Sequence, residues 1–268
     1  MILGIVVTYN PNIDELEDNL IQIKEEVNKC VIFDNNSNNS QQVKILSEKL
    51  GIQLISNEEN VGLGKAYNEV LKLYHCKYFI TFDQDTYIPR GTVSLLKKAL
   101  EKDSQIGLIG PMFSRNESII YESGDLVYKT AIIQSCALIK RDIYDKVGIF
   151  NEDYFIDSVD FEFCLRVILK NYKVAIYKGV KIKHQLGINK KFINLINYSE
   201  HSEKRVYYMA RNHFDISYNY LKFFPFFVLK KNYFFFQDFL KLILFEFNLR
   251  KLKYLFTGLF DSFLKNIK

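Results

Sequence analysis

Cysteine is scarce in this chain. Its four residues, Cys30, Cys76, Cys136 and Cys164, stand far apart in apolar contexts with no C-x-x-C pair. That pattern excludes a disulfide framework and a cysteine-based zinc module, and leaves buried, reduced thiols of the cytosolic kind. Long apolar runs are missing too. A spanning helix needs about 18 uninterrupted apolar residues, and the greasiest stretch is broken by Lys230, Lys231, Asp238, Lys241 and Glu246. The opening MILGIVVTYNP has no basic segment ahead of its apolar run and reads directly as a strand, so no signal peptide is expected. There is no internal repeat.

What is present suffices for a large core: 268 residues, 48% of them hydrophobic and 25% charged. Disorder is excluded. The net charge of +5 is unevenly spread. Residues 201–268 hold 12 Lys/Arg against 5 Asp/Glu, and residues 1–200 hold 24 against 26. The basic tail also carries 14 of the 23 Phe, in runs such as FFPFFVLKKNYFFFQDFLKLILFEF. Nucleic-acid binders intersperse basic residues with glycine, polar residues and isolated stacking aromatics, so a membrane surface is the expected partner and nucleic acid is not.

Periodicity orders the first half. ILGIVVTY is a short apolar run rich in β-branched residues, which predicts a strand buried on both faces. A helix follows from Ile13 to about Val27, then the strand KCVIFD, the turn NNSNNS, a helix to about Leu50 and the strand IQLIS. This β-α-β-α-β order predicts a parallel sheet with crossover helices. NEENVGLGKAYNEVLKLY reads as a loop entering a helix, KYFITFD as a fourth strand, and IGLIGPMF as a fifth after a helix begun near Pro89. Short antiparallel strands and a helix are expected over residues 118–148, then a further helix and a strand pair to His184.

In a parallel sheet, ligands bind where the strands' carboxyl ends meet loops and helix amino termini. Thr8, Tyr9 and Asn10 end the first strand, Asp34 to Ser37 the second, and Asp83, Gln84 and Asp85 the fourth. Alternation along an extended chain would put Asp83 and Asp85 on one side, where their charges repel unless a cation lies between them. Hard divalent ions such as Mg²⁺ and Mn²⁺ take oxygen ligands of this kind and bridge to substrate phosphates. Gly62 and Gly64 permit close backbone approach at a helix start, which suits a diphosphate.

The motifs VVTYN, FDNNS, NVGLGKAYN, FDQD and DSVDFEFCLR, in this order, resemble the family 2 inverting glycosyltransferases, and within them the bacterial rhamnosyltransferase branch. The resemblance covers roughly residues 1–215. It implies an α/β fold of the GT-A type, a Rossmann-like, mostly parallel sheet with flanking helices, followed over 216–268 by a helical tail. It implies a nucleotide-sugar donor contacted by Thr8, Tyr9, Asn10, Asp34, Asn60, Gly64, Asn68, Asp83, Gln84 and Asp85, with Asp34 at the base and Asn36 where glycine is usual. Asp85 would be the direct ligand of a Mn²⁺ or Mg²⁺ ion, with Asp83 on the ribose or a metal-bound water and His184 as a third metal ligand. Asp160 falls at the general-base position; Asp157, then Glu162, are its competitors, because Val159 stands where many members carry an acid. Arg211 is placed against a donor or acceptor phosphate, and Ser135 on the acceptor side. His75, His201 and His213 are expected to be structural.

In the tail, Phe236, Phe239, Leu240, Ile243 and Phe247 share one helical face, opposite Gln237, Asp238, Lys241, Asn248 and Lys251. Such a helix lies in a headgroup plane or packs on a protein surface. The expectation is an enzyme at the inner face of the cell membrane that transfers L-rhamnose from dTDP-L-rhamnose to a lipid-linked saccharide of capsule or O-antigen. A UDP-sugar donor (galactofuranose, glucose or N-acetylglucosamine) is the alternative, as is a non-catalytic nucleotide-binding scaffold. Oligomeric state is left open.

Overall fold

The first half folds as its periodicity predicts. In the computed structural model, β1 (Ile2–Thr8), α1 (Ile13–Glu26), β2 (Lys29–Asp34), α2 (Ser40–Leu50), β3 (Gln53–Ser56), α3 (Leu63–Leu73), β4 (Tyr78–Asp83) and α4 (Thr92–Glu101) follow in turn. The structure describes all residues except 115–117, 122–123, 184–188, 193–195, 200, 247 and 268, with backbone alone described for 189–192, 196–199 and 245–246. Local chemistry sets the helix ends. Asn12 caps α1 by accepting from the Asp14 and Glu15 N–H groups, and α2 stops at Gly51, whose φ of 62° suits glycine.

After β5 (Ile106–Ser114) come β6 (Ile119–Ile120), β7 (Leu126–Tyr128), β8 (Ala137–Lys140), α5 (Arg141–Val147), α6 (Val159–Leu169) and β9 (Lys173–Lys183). The sheet order is β3-β2-β1-β4-β8-β5-β9-β6, with β7 also on β9. β3, β2, β1 and β4 are mutually parallel, while β8 enters antiparallel between β4 and β5. Leu3, Ile5, Ile32, Phe79 and Ile80 are fully buried within this frame.

One expectation is corrected here. The strand pair foreseen after α6 is a single strand, β9, that pairs parallel to β5 with a bulge: Pro111 lies opposite Tyr177 but Met112 opposite Lys181. The extra residues, Lys178 to Val180, turn toward β6, where Val180 pairs with Ile120. Gly124 crosses Gly179 so closely that a Cβ on Gly124 would lie 2.1 Å from the Gly179 nitrogen. Two glycines, rather than a turn, let the strand absorb the irregularity.

The chain divides into two compact units, 1–153 with 159–184, and 154–158 with 185–268. The boundary expected at 215/216 falls inside α7 (Glu203–Tyr220). The second unit contains the antiparallel pair β10 (Asn189–Phe192) and β11 (Ile196–Ser199), then α7, α8 (Pro225–Lys241), a π-helical segment Leu242–Glu246 and α9 (Leu249–Ile267). α7 and α9 cross at Gly258, where a Cβ would meet the Tyr207 carbonyl oxygen at 2.3 Å. Val206, Ala210 and Leu255 form the small core there, joined by Phe235, Phe239 and Leu242.

The expected tail helix is therefore interrupted by the π segment, and its faces differ from the prediction. Phe239 packs inward, Phe236 and Leu240 are exposed, and Lys251 is buried rather than on a polar face; Phe247 lies outside the described residues. The physical reason is that α7 gives these helices an internal partner, so the inward stripe runs through Val228, Phe235 and Phe239. Of the histidines, His213 is buried and stacks on Phe235 at 4.1 Å. Among the described residues no helix is long and apolar enough to cross a membrane.

Candidate active site

Strand register delivers the site. Thr8 pairs with Asp34, and Val7 with Asp83, so the ends of β1, β2 and β4 lie side by side. The Thr8 hydroxyl donates to Asp34 Oδ1 at 2.8 Å, the Ser37 hydroxyl to the same oxygen at 2.5 Å, and the Ser37 N–H to Oδ2 at 3.2 Å. Asp34, 1% exposed, thus holds its own turn. Asn36 takes the left-handed φ of 64° that explains how it stands in for glycine. Asn10, with φ 49°, links the first two loops: its N–H donates to Ser37 Oγ and its Oδ1 accepts from the Asn38 N–H.

The Asp-Gln-Asp stretch differs in one respect from the extended geometry assumed for it. β4 ends at Asp83, and residues 83–86 form a turn closed by the Thr86 N–H donating to the Asp83 carbonyl at 3.1 Å. Asp83 is half-buried and Asp85 is exposed. Gln84 does not project as a free contact. Its Oε1 accepts from the Tyr9 N–H at 2.9 Å, and its carbonyl accepts from Asn19 Nδ2 at 3.0 Å. The turn is pinned from the β1 loop on one side and from α1 on the other. It is also pinned by Ser135, fully buried, whose hydroxyl bonds the Thr86 hydroxyl at 2.5 Å. Ser135 therefore clamps the turn.

The glycine loop is closely packed against the rest of the fold. Gly64 lies where a Cβ would meet the Asn151 carbonyl oxygen at 2.9 Å and the Val159 side chain at 3.5 Å, so its lack of a side chain serves helix-to-loop packing. Asn60 Oδ1 accepts from the Gly62 N–H at 3.0 Å within its own loop. Asn68 is fully buried and has spent its capacity: Nδ2 donates to the Phe150 carbonyl and to Glu152 Oε1, and Oδ1 accepts from the Tyr144 hydroxyl and the Phe150 N–H, all at 2.8–3.0 Å. It positions the segment between α5 and α6.

That segment leads to α6, whose first turn carries Asp160 and Glu162. Asp160 is half-buried, and its Oδ1 accepts from the Phe161 N–H at 2.8 Å. Glu162 is committed elsewhere: it is 4% exposed and engaged by Arg166 at 2.7 and 2.9 Å, while Arg166 also donates to the Val147, Gly148 and Ile149 carbonyls.

Two residues given no role in the sequence reading join these groups. Tyr67, fully buried on α3, accepts a hydrogen bond from Gln134 Nε2 at 2.9 Å. Burial, then the carboxylates of Asp83 and of Asp160, push the Tyr67 hydroxyl well above its ordinary pKa. The tyrosine thus stands in the field of both acids. Gln134 interrupts the apolar run AIIQSCALI, and Tyr67 stands within NVGLGKAYN, so both positions were visible in the sequence though neither was assigned a role.

Asp157 and Arg211 belong to the second unit. Both Asp157 oxygens are taken by Arg205, at 3.0 and 3.1 Å. Asp157 and Ser158 have φ values of 63° and 64°, and Asn212 Nδ2 supports that turn by donating to the Ile156 and Asp157 carbonyls at 2.8 Å. Arg211 donates to Asn212 Oδ1 and lies 5.0 Å from the centre of the Tyr208 ring. His184 lies outside the described residues.

Among the described residues no group of three or more His, Cys, Asp or Glu side chains is able to hold a metal ion. The two carboxylates of the β4 turn still fit a hard divalent cation that completes its shell with phosphate and water. Asp85 is exposed and makes no hydrogen bond or ion pair with the described residues, and the backbone between it and Asp83 is held rigid by Gln84.

The comparisons with known proteins agree with this geometry. Residues 5–123 match the model of Glycosyl transferase family 2. The chain is 29% identical over 234 residues to the dTDP-rhamnosyl transferase RfbF of Shigella flexneri, across 80% of this chain and 78% of that protein. Its fold is similar to that of the mannosyltransferase PcManGT from Pyrobaculum calidifontis, solved with GDP-Man and Mn²⁺ (TM-score 0.64, 16% identity, 96% of this chain and 72% of that one). It is also similar to GalNAc-T7 with UDP, GalNAc and Mn²⁺ (0.58, 14%, 68% of this chain) and to S. aureus TarS 1–349 (0.53, 17%, 81%). The chain spans 43% of the GalNAc-T7 chain and 65% of the TarS chain. The fold, a mixed sheet with a carboxylate turn after β4, is that of the GT-A glycosyltransferases. Residues 5–123 of that fold are the part similar to family 2 glycosyltransferases.

Replacing Asn68 with alanine leaves the Tyr144 hydroxyl, the Phe150 amide and carbonyl, and Glu152 without their partner. Loss of about 2–4 kcal/mol in denaturant-induced unfolding is expected, with the donor KM of the folded enzyme unchanged. A large KM increase at undiminished stability would restore Asn68 to the donor site.

Proposed function

We propose that the chain transfers L-rhamnose from dTDP-L-rhamnose, with inversion and with help from a divalent cation, onto a lipid-linked saccharide of a bacterial surface polysaccharide such as capsule or O-antigen. The observation that carries this reading is the pairing of a pinned Asp83–Asp85 turn with Asp160, since the charges of Asp83 and Asp160 both act on one buried tyrosine, Tyr67. Similarity to a dTDP-rhamnosyl transferase supports the choice of sugar.

Asp83 and Asp85 would hold a Mn²⁺ or Mg²⁺ ion, which supplies a Lewis acid for the charge on the departing nucleoside diphosphate. Asp34, with Thr8, Tyr9 and Asn10 beside it, lines the strand ends where the base and ribose would lie. Asp160 is the general base. Its carboxylate takes the proton of the acceptor hydroxyl as that oxygen bonds the anomeric carbon. The bond from that carbon to the diphosphate oxygen breaks, and its electron pair leaves with the diphosphate. One displacement from the opposite face inverts the anomeric centre. Glu162 and Asp157, each held by an arginine, are poorly placed to accept a proton.

The second unit supports a place at the inner membrane face. Phe226, Leu229, Tyr233, Phe236, Leu240 and Leu244 are exposed at helical spacing, as are Leu249, Phe256, Phe260, Phe263 and Ile267 on α9. With Lys222, Lys230 and Lys253 nearby in sequence, these stripes suit the headgroup region of an anionic leaflet.

Two experiments test the reading. Donor hydrolysis with Mn²⁺ is expected to fall by a factor on the order of 10² or more in Asp85→Ala and Asp160→Asn with unfolding temperatures retained, and dTDP-L-rhamnose is expected to raise the unfolding temperature more than UDP-galactofuranose, UDP-glucose or UDP-N-acetylglucosamine. Full activity in either variant would overturn that residue's role, and stronger protection by a UDP-sugar would overturn the donor. Separately, the protein should sediment with anionic phosphatidylglycerol vesicles and lose most of that binding when Phe226, Phe236 and Phe260 are changed to serine. A wild-type protein that stays in the supernatant would contradict the membrane assignment.

A further inference from the structure

Among the described residues, three buried side-chain atoms have no hydrogen-bond partner: Asn39 Oδ1, Thr92 Oγ1 and Gln134 Oε1. Gln134 is the one that stands among the groups assigned to chemistry. It is 6% exposed. Its backbone is tied to β4, with its carbonyl accepting from Thr81 Oγ1 at 2.6 Å two residues before Asp83. Its Nε2 donates to the Tyr67 hydroxyl, which lies in the field of Asp83 and Asp160. Whichever way the amide is turned, one polar atom meets Tyr67 and the other meets nothing.

A buried amide left half-satisfied is a standing cost to the fold. Such costs persist where a ligand completes the bond. The surroundings say which part of a ligand that is. The diphosphate belongs on the Asp83–Asp85 turn, and the anomeric carbon must lie between it and Asp160, so the group next to Tyr67 and Gln134 is the sugar ring. A sugar hydroxyl both donates and accepts, and so satisfies either orientation of the amide. The last torsion of a glutamine is soft and twofold, which lets the unpartnered atom turn to an entering hydroxyl.

We propose that Gln134, anchored by Tyr67, hydrogen-bonds a hydroxyl of the sugar being transferred and so selects the donor by its sugar. This rests on the chain being a nucleotide-sugar transferase. Ser135 and Cys136, the latter with φ 57°, fix the loop that carries it: Ser135 bonds Thr86, and the Cys136 N–H donates to the Thr81 carbonyl at 2.7 Å.

The test compares a ligand that has the sugar with one that lacks it. In Gln134→Met, which keeps length and removes hydrogen bonding, kcat/KM for dTDP-L-rhamnose hydrolysis, or for whichever of the UDP-sugars protects the wild type best, is expected to fall about tenfold or more. The dissociation constant of dTDP or UDP alone, with Mn²⁺, is expected to stay as in the wild type. Gln134→Asn, which withdraws the amide by one methylene but keeps it polar, should show the same split and serves if the methionine variant does not fold. Unchanged kcat/KM, or equal losses for the sugar nucleotide and the bare diphosphate, would overturn the role of Gln134 and leave the transferase reading intact. A wild-type protein that neither binds the diphosphates nor hydrolyses any of these donors would overturn both.

Discussion

The parallel register of β1 with its two neighbours is the constraint on which the site depends. Because Thr8 pairs with Asp34 and Val7 with Asp83, three strands end together, and the loops that follow cannot avoid one another. The bonds that cross between them are then short and local. Thr8 and Ser37 hold Asp34, Tyr9 holds Gln84, and Asn10 holds Asn38. A slip of one residue along β1 would turn its apolar side chains from one face of the sheet to the other and take the loops out of contact. The core that fixes the register therefore also fixes the chemistry.

A second layer of buried polar bonds supports this edge from behind. Asn68 holds the segment before α6, Arg166 and Glu162 hold the end of α5, and Gly64 allows α3 to approach the Asn151 carbonyl. Asp160 is delivered by that scaffold, and the Asp83–Asp85 turn by Gln84 and Ser135. Tyr67 lies where the two deliveries meet. Preorganisation of this kind is what a displacement between two charged partners requires, since the groups need not move as charge develops.

The alternating frame was legible in the sequence because buried parallel strands are written as continuous β-branched runs such as ILGIVV and helices as 3.6-residue periods. The places of Asp34 and Asp83 at strand ends were legible because each closes a run of strand-forming residues. Roles that depend on which way a side chain turns were not legible. Asn68, Gly64 and Arg211 occupy motif positions, yet the structure gives each an internal partner, and no pattern of residue types distinguishes a buried asparagine from one facing a ligand. The single strand β9 differs from the expected pair because its irregularity at Lys178 to Val180 is absorbed where Gly124 crosses Gly179, a contact between distant residues. The tail's inward face could not be read because it is set by packing on α7, and no pattern within the tail itself reports that partner.

The most direct measurement is the anomeric configuration of the transferred sugar, read by NMR of the product made from a donor of known configuration. Attack by an acceptor hydroxyl activated at Asp160, on the face opposite a diphosphate held at Asp83 and Asp85, predicts a product of opposite anomeric configuration to the donor. A product that retains the donor's configuration would contradict the single displacement and the roles assigned to these three carboxylates.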